Sequence, residues 1–212
     1  MVRVSDNTVT GGTILLQDQQ RTDDIAAEPT QTDTLRIDPD MDLFRKAASG
    51  DGKAFHQLVD RHAQRLYRLA VSLVGNGADA EDVLQETFAG AYRGLSRFEG
   101  RSSVKTWLTR ILMTQAARWR RDRRRRRVEA VDPAGLEISS EGGQAASGRK
   151  IDLQAALQLL TPEHRQVLVL REFEQLSYDQ IAEVLDVPRG TVESRLHRAR
   201  GELREKLRAY LE

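Results

Sequence analysis

The stretch SYDQIAEVLDVPRGTVESRLHRARGEL, residues 177–203, decides the fold. Ser177 followed three residues later by Gln180 is a capping box that opens a helix, and Ile181, Ala182 and Leu185 give that helix an apolar face. DVPRG then breaks the chain. Beyond it Val192, Leu196, Ala199 and Leu203 recur at three and four residues, the spacing of a second helix with one buried stripe. Two helices joined by so short a break form a helix-turn-helix. The stripe leaves Arg189, Thr191, Ser194, Arg195 and Arg198 on the other side, residue types that bond phosphates and base edges when a helix lies in the major groove. A plain helical hairpin with a basic face is the alternative for this segment taken alone.

Upstream, TPEH at 161–164 supplies a Thr cap with Pro at the first helical position, and IDLQAALQLL at 151–160 is also helical in period. Residues 128–149, VEAVDPAGLEISSEGGQAASGR, are rich in Gly, Ser, Ala and acids and form an expected flexible linker. Before the linker the period is helical again. Phe55, Leu58, Val59, Leu66, Leu69, Ala70 and Leu73 lie on one face of a long helix that stops at GNG, residues 75–77. Asn76 caps the next helix, whose first turn carries Asp79, Glu81 and Asp82 against the positive end of the helix dipole. Its expected inward face is Val83, Leu84, Phe88, Ala91, Tyr92 and Leu95. After the polar loop SRFEGRSS, a further helix places Val104, Trp107, Leu108, Ile111, Leu112, Gln115 and Trp119 on one stripe, with Lys105, Thr109, Arg110 and Arg118 off it. Gly90 and Gly94 each weaken their helix by about 1 kcal/mol relative to Ala unless close packing requires them.

No strand pattern occurs, so the expected fold is all-α. It comprises two small helical domains joined by the linker, one over 40–127 and a helix-turn-helix domain over 150–212. Residues 1–39 are polar, acidic and aperiodic, an expected disordered tail that is either regulatory or the product of a start placed upstream of Met41.

The chain has 212 residues, 39% of them hydrophobic but only 5% aromatic, so its cores must be aliphatic. With no cysteine it has neither disulfides nor thiolate metal sites. No apolar run reaches the roughly 20 residues that span a bilayer, and the N-terminus carries no basic-then-apolar signal, so a cytoplasmic location is expected. A net charge of +1 conceals a strong asymmetry. Residues 1–43 carry three arginines against nine acids. Residues 97–127 carry eleven Arg and one Lys against Glu99 and Asp122, a net of plus ten. Such density is a footprint for a polyanion. Its loudest part, RWRRDRRRRR at 118–127, ends a helix whose inner face is already committed to a core. Arginines there complement the helix dipole and read phosphate rather than sequence. For the last few of them a solvated helix end is the other reading.

In combination these segments resemble bacterial RNA polymerase sigma factors of the sigma-70 family, extracytoplasmic-function (group IV) type. DAEDVLQETFAGAYRGLSRFEG followed by TWLTRI is similar to the second conserved region of that family, and LTPEHRQVLVLREFEQLSYDQIAEVLDVPRGTVESRLHRAR to the fourth. The resemblance covers about residues 41–127 and 151–207. It implies a non-enzymatic transcription initiation factor, with no metal or cofactor, that binds core RNA polymerase through the beta-prime clamp helices and the beta flap and directs it to promoter DNA. It also implies an anti-sigma partner and no membrane insertion.

Position by position, the resemblance gives Asp79, Glu81, Asp82, Gln85 and Glu86 to polymerase docking. Arg97, Phe98, Glu99, Gly100, Arg101, Ser102 and Ser103 correspond to the loop that receives a flipped base of the minus-10 element. Lys105, Arg110, Thr114, Arg118 and Arg121 correspond to the helix lining the promoter where it melts. Arg189, Thr191, Glu193, Ser194, Arg195, His197 and Arg198 correspond to the helix entering the major groove at the minus-35 element. Relatives often carry Asn at Thr114, Asp at Arg118 and a base at Glu193. A carboxylate at 193 repels phosphate but can accept a bond from a cytosine amino group.

Two other classes compete. A stand-alone helix-turn-helix regulator would need only the C-terminal half, and would carry a sensing or dimerisation element for which no pattern appears. A helical metal-dependent hydrolase would use His56, His62 and the acids from Asp79 to Glu86. Those histidines, six residues apart, do not share a helix face as a metal pair four apart would.

Overall fold

A computed structural model describes residues 38–130 and 153–211. Of the tail expected over 1–39 and the linker expected over 128–149, residues 1–37 and 131–149 lie outside the described residues. Among these residues the chain is helical throughout: α1 (Met41–Ala48), α2 (Gly52–Val74), α3 (Gly77–Gly94), α4 (Val104–Ala130), α5 (Leu153–Gln158), α6 (Pro162–Glu172), α7 (Tyr178–Leu185) and α8 (Arg189–Leu211), with one 3-10 turn at Leu95–Arg97. The expected all-α class holds. Helix α4 continues three residues into the stretch read as linker.

Local chemistry sets the helix ends. The Asp51 side chain accepts from the Lys53 and Ala54 amides at the start of α2, and Gly75, in the left-handed region, closes it. Asn76 caps α3 through the Asp79 amide at 2.9 Å. Ser177 and Gln180 form the expected capping box of α7. Asp186, also left-handed at φ +54°, ends α7 so that α8 can start three residues later. Asp tolerates that conformation better than most side chains.

The N-terminal half packs α1, α3 and α4 around α2. Leu66, Leu112 and Val104 are fully enclosed, and burying each such aliphatic side chain contributes about 1.5–3 kcal/mol. Glycine leaves room where α3 meets α4. A Cβ at Gly90 would lie 3.3 Å from Ile111 Cγ2, and one at Gly94 would lie 3.3 Å from Trp107 Cζ2. Close helix approach therefore offsets the propensity cost.

Two expectations for these faces are corrected. Tyr92 is not inward: it is 59% exposed and lies edge-on to Phe55 at 5.1 Å, while Ala80 and Thr87 fill the core of α3 instead. Thr109 is not off the buried stripe of α4: it is fully enclosed, and Thr106, Met113 and Ala116 are buried with it. The reason is tertiary, because α4 packs against α7 of the C-terminal half as well as α2 and α3. A periodicity reading that assumes one covered face misses the second.

In the C-terminal half α8 packs on α5, α6 and α7. Ile181 and Val184 of α7 meet Val192, Leu196 and Ala199 in the core, as a helix-turn-helix requires. The two halves are joined by side chains. Gln158 Nε2 donates to the Ser72 carbonyl at 3.1 Å. Arg165 donates to the carbonyls of Leu157 (2.8 Å), Leu73 (2.9 Å), Gln158 (2.8 Å) and Leu160 (3.1 Å). It thereby satisfies the free C-terminal carbonyls of two helices from different halves. Burial, with the nearby Arg120 charge acting in the same direction, lowers its pKa to about 10, so it stays charged at neutral pH.

Candidate nucleic-acid interface

Helix α8 presents four of the expected side chains on one face. Thr191, Ser194, Arg195 and Arg198 sit at i, i+3, i+4 and i+7, which at about 100° per residue is a single face roughly 120° from the buried stripe. Ser194 and Arg198 are exposed, whereas Thr191 and Arg195 are half-buried at its edge. Glu193 and His197 are exposed but lie off that face. Arg189 is held by Asp179 at 2.8 Å and by Glu193 at 3.0 Å, with its guanidinium 5.8 Å from the Tyr178 ring. Arg171 lies 5.1 Å from the same ring. Glu193 thus has an intramolecular role, orienting Arg189, that its sequence position did not reveal.

On α4, Arg110, Thr114, Arg118 and Arg121 fall within about 80° of one another and are all exposed. Thr114 Oγ1 donates back to the Arg110 carbonyl at 3.0 Å. Lys105 does not share this face. It belongs to the arc covered by the C-terminal half, where its Nζ donates to the Glu174 carbonyl at 3.2 Å and lies 3.6 Å from that residue's carboxylate.

The loop between α3 and α4 has pinned ends and a free tip. Phe98 packs on Phe44 (centroids 4.6 Å apart) and Trp107 (5.1 Å). Glu99, Gly100 and Arg101 are exposed, with Glu99 and Arg101 paired. Ser103 Oγ accepts from the Thr106 amide at 3.0 Å and caps α4.

The acids of α3 divide in two. Glu81, Asp82, Gln85 and Glu86 are exposed. Asp79 is engaged internally: Trp119 Nε1 donates to it at 3.2 Å and Arg123 at 3.0 Å, with the Arg123 guanidinium 5.2 Å from the Trp119 ring. One member of the arginine run is therefore a structural clamp between α4 and α3. Asp82, Glu86, Arg118, Asp122 and Arg126 flank the groove between these helices.

Sequence reading missed the residues that join the halves. Glu174 is buried, ion-paired with Arg65 and Lys105. Arg65 also donates to Thr109 Oγ1 at 3.1 Å, yet its Nε and Nη2 are buried without a hydrogen bond. Nor did any periodic signal mark Asp40, which bonds His62 Nε2 at 2.8 Å and pairs with Arg61. The two histidines are placed apart in role, His62 in the core and His56 on the surface 3.8 Å from Asp60.

Comparison with known proteins matches the two halves separately. Residues 58–126 match sigma-70 region 2, and residues 150–203 match sigma-70 region 4. The chain is 40% identical to the ECF RNA polymerase sigma factor SigE of Mycolicibacterium smegmatis over 76% of its own length, spanning 65% of that relative. It is 35% identical to the RNA polymerase sigma-H factor of Pseudomonas aeruginosa, covering 84% of this chain and 98% of that one. Among solved structures it resembles CnrH in complex with the cytosolic domain of CnrY (TM-score 0.61, 32% identity, 80% of this chain and 97% of that one). It also resembles the sigma factor RpoE in complex with the anti-sigma factor NepR from Bartonella quintana (TM-score 0.61, 29% identity, 74% and 98%). With region 2 and region 4 matched in order and near-full-length relatives above 30% identity, among them the ECF RNA polymerase sigma-E factor of Escherichia coli (34% identity, 79% of this chain and 94% of that one), the chain belongs to the sigma-70 family of RNA polymerase sigma factors, in its extracytoplasmic-function branch.

Proposed function

We propose that this promoter-specific transcription initiation factor docks on core RNA polymerase through Glu81, Asp82, Gln85 and Glu86. In that complex α8 reads the minus-35 duplex. The loop Arg97–Ser103 captures an unstacked base of the minus-10 strand, with the Arg110, Thr114, Arg118 and Arg121 face alongside. One observation carries the reading: α4 and α8 each pair a buried stripe with a separate exposed face bearing arginine and hydroxyl groups. Duplex reading needs side chains that reach base edges from a helix in the major groove, and the Thr191, Ser194, Arg195, Arg198 face supplies them. Capturing a flipped base offsets part of the unstacking cost of a few kcal/mol. The chain supplies selectivity and makes or breaks no covalent bond.

The packed arrangement of the two halves is a closed form of the factor. If the promoter elements lie about one and a half turns apart, the two readers must be separated by on the order of 50 Å. The hydrogen bond and ion pair between Lys105 of α4 and Glu174, just ahead of α7, keep the readers far closer, within about two helix diameters. The 22 residues between α4 and α5 reach about 70 Å when stretched, so they can bridge the open form. Arg65 favours opening, because a half-satisfied buried guanidinium repays little of its desolvation. An anti-sigma partner would act by covering the docking and DNA faces.

Copurification with core polymerase followed by footprinting tests the assignment. Protection at both elements by the reconstituted holoenzyme supports it. Specific binding by the isolated chain with no gain from polymerase would favour a stand-alone regulator.

A further inference from the structure

The family match to region 2 begins at residue 58, so the segment ahead of α2 lies outside it. That segment contacts the first residue of α4, where the loop Arg97–Ser103 ends. Asp38 Oδ2 accepts a hydrogen bond from the Val104 amide at 2.6 Å, across 66 residues of sequence. Val104 opens α4 and directly follows the loop. The same carboxylate accepts the Asp40 amide through Oδ1 at 3.0 Å, and the Asp38 carbonyl accepts the Met41 amide at 3.1 Å. Asp40 is in turn fixed to α2 by His62 and Arg61. Asp38 therefore stands on a rigid base and reaches to the end of the loop.

We propose that Asp38 is a positioning residue for promoter discrimination, holding the C-terminal anchor of the loop Arg97–Ser103 while α1 holds the N-terminal one. The N-terminal anchor is aromatic: Phe44 of α1 packs on Phe98 and, edge-on at 5.3 Å, on Trp107. Met41 Cε lies 3.6 Å from where a Cβ on Gly100 would sit, and Gly100 is left-handed at φ +71°. Both ends of the loop are thus tied to one short segment, and the tip between them is exposed. A tip with fixed ends does not spend binding energy on ordering itself, so more of that energy distinguishes one base from another. The inference rests on the loop being the minus-10 reader.

The helix itself does not depend on Asp38. Ser103 caps α4 locally through the Thr106 amide, so loss of the Asp38 carboxylate loosens the loop without unravelling α4. Asn at 38 retains an oxygen that can accept the Val104 amide, whereas Ala does not.

The test uses the full chain assembled with core polymerase, on templates varied base by base across both promoter elements. Asp38→Ala should compress discrimination at the minus-10 position by about five-fold, the equivalent of one lost cap, leaving minus-35 discrimination unchanged. Asp38→Asn should restore most of the lost discrimination, and amide exchange over 97–104 should quicken only in the Ala variant. If Asp38→Ala keeps the parental profile while Glu99→Ala or Arg101→Ala flattens it, the loop is the reader and Asp38 does not position it. A uniform loss at both elements also overturns the proposal, since it reports instability alone. If the loop variants leave minus-10 preference intact, the loop reading fails and the role of Asp38 fails with it.

Discussion

Lys105 of α4 donates to the backbone carbonyl of Glu174, ahead of the helix-turn-helix, at 3.2 Å. A residue that the family resemblance assigns to minus-10 DNA is therefore occupied by the C-terminal half of the same chain. On the proposed reading, competition between these partners would couple promoter reading to separation of the halves.

Glu174→Gln removes the charge that Arg65 and Lys105 share and leaves both cations without a counter-ion. The closed form should then weaken. Small-angle scattering of the free chain should show a larger radius of gyration than for the parent, most clearly at low salt, where charge effects are largest. An unchanged radius would mean that Arg165 and the glutamines hold the halves unaided.

Burial, the largest influence, lowers the His62 pKa below its ordinary value of 6.5, the Arg65 and Arg61 charges adding to it and Asp40 opposing it. Below pH 6.5 the unfolded chain therefore binds the proton that the folded chain resists. His62 contributes stability that is present above that pH and is lost as pH falls toward its depressed folded value. Thermal unfolding should show Tm dropping on acidification from pH 6.5, with a shallower drop in His62→Gln. Equal slopes would remove His62 from the account.

Asp82 and Glu86 are exposed on α3, with Glu86 3.8 Å from Arg93. Replacing both with Ala should leave unfolding within about 0.5 kcal/mol of the parent, as for surface substitutions generally. Core-polymerase affinity, measured by titration, should fall. Parental affinity would discard the docking face.

Arg195 is half-buried on the face of α8 that carries Thr191, Ser194 and Arg198. Arg195→Ala should weaken promoter use by about 1–3 kcal/mol and relax preference at one minus-35 position. Transcription from single-base promoter variants measures both. A loss spread evenly over all sequences would reassign Arg195 to the phosphate backbone.

Much of this was legible in the sequence because it rests on local chemistry. The Asn76 cap, the Ser177–Gln180 box and the Val192, Leu196, Ala199 stripe each depend on residues a few positions apart, and each stands as expected. What sequence spacing concealed depends on long-range packing. Thr109 is hydroxylic and lies off the apolar stripe, yet it is enclosed because Arg65 and the C-terminal half cover it. Asp79 has the composition of a docking acid, but Trp119 and Arg123, forty or more residues away, take its carboxylate. Asp38 fell at the edge of an aperiodic tail, and no pattern joins it to Val104.

Runoff transcription by purified core polymerase on a promoter pool, with and without this chain, tests the central claim most directly. Initiation should depend on the chain and be confined to templates sharing two spaced elements, with selectivity at the upstream one lost in Arg195→Ala. Initiation that is indifferent to the chain, or that shows no common elements among the selected templates, would contradict it.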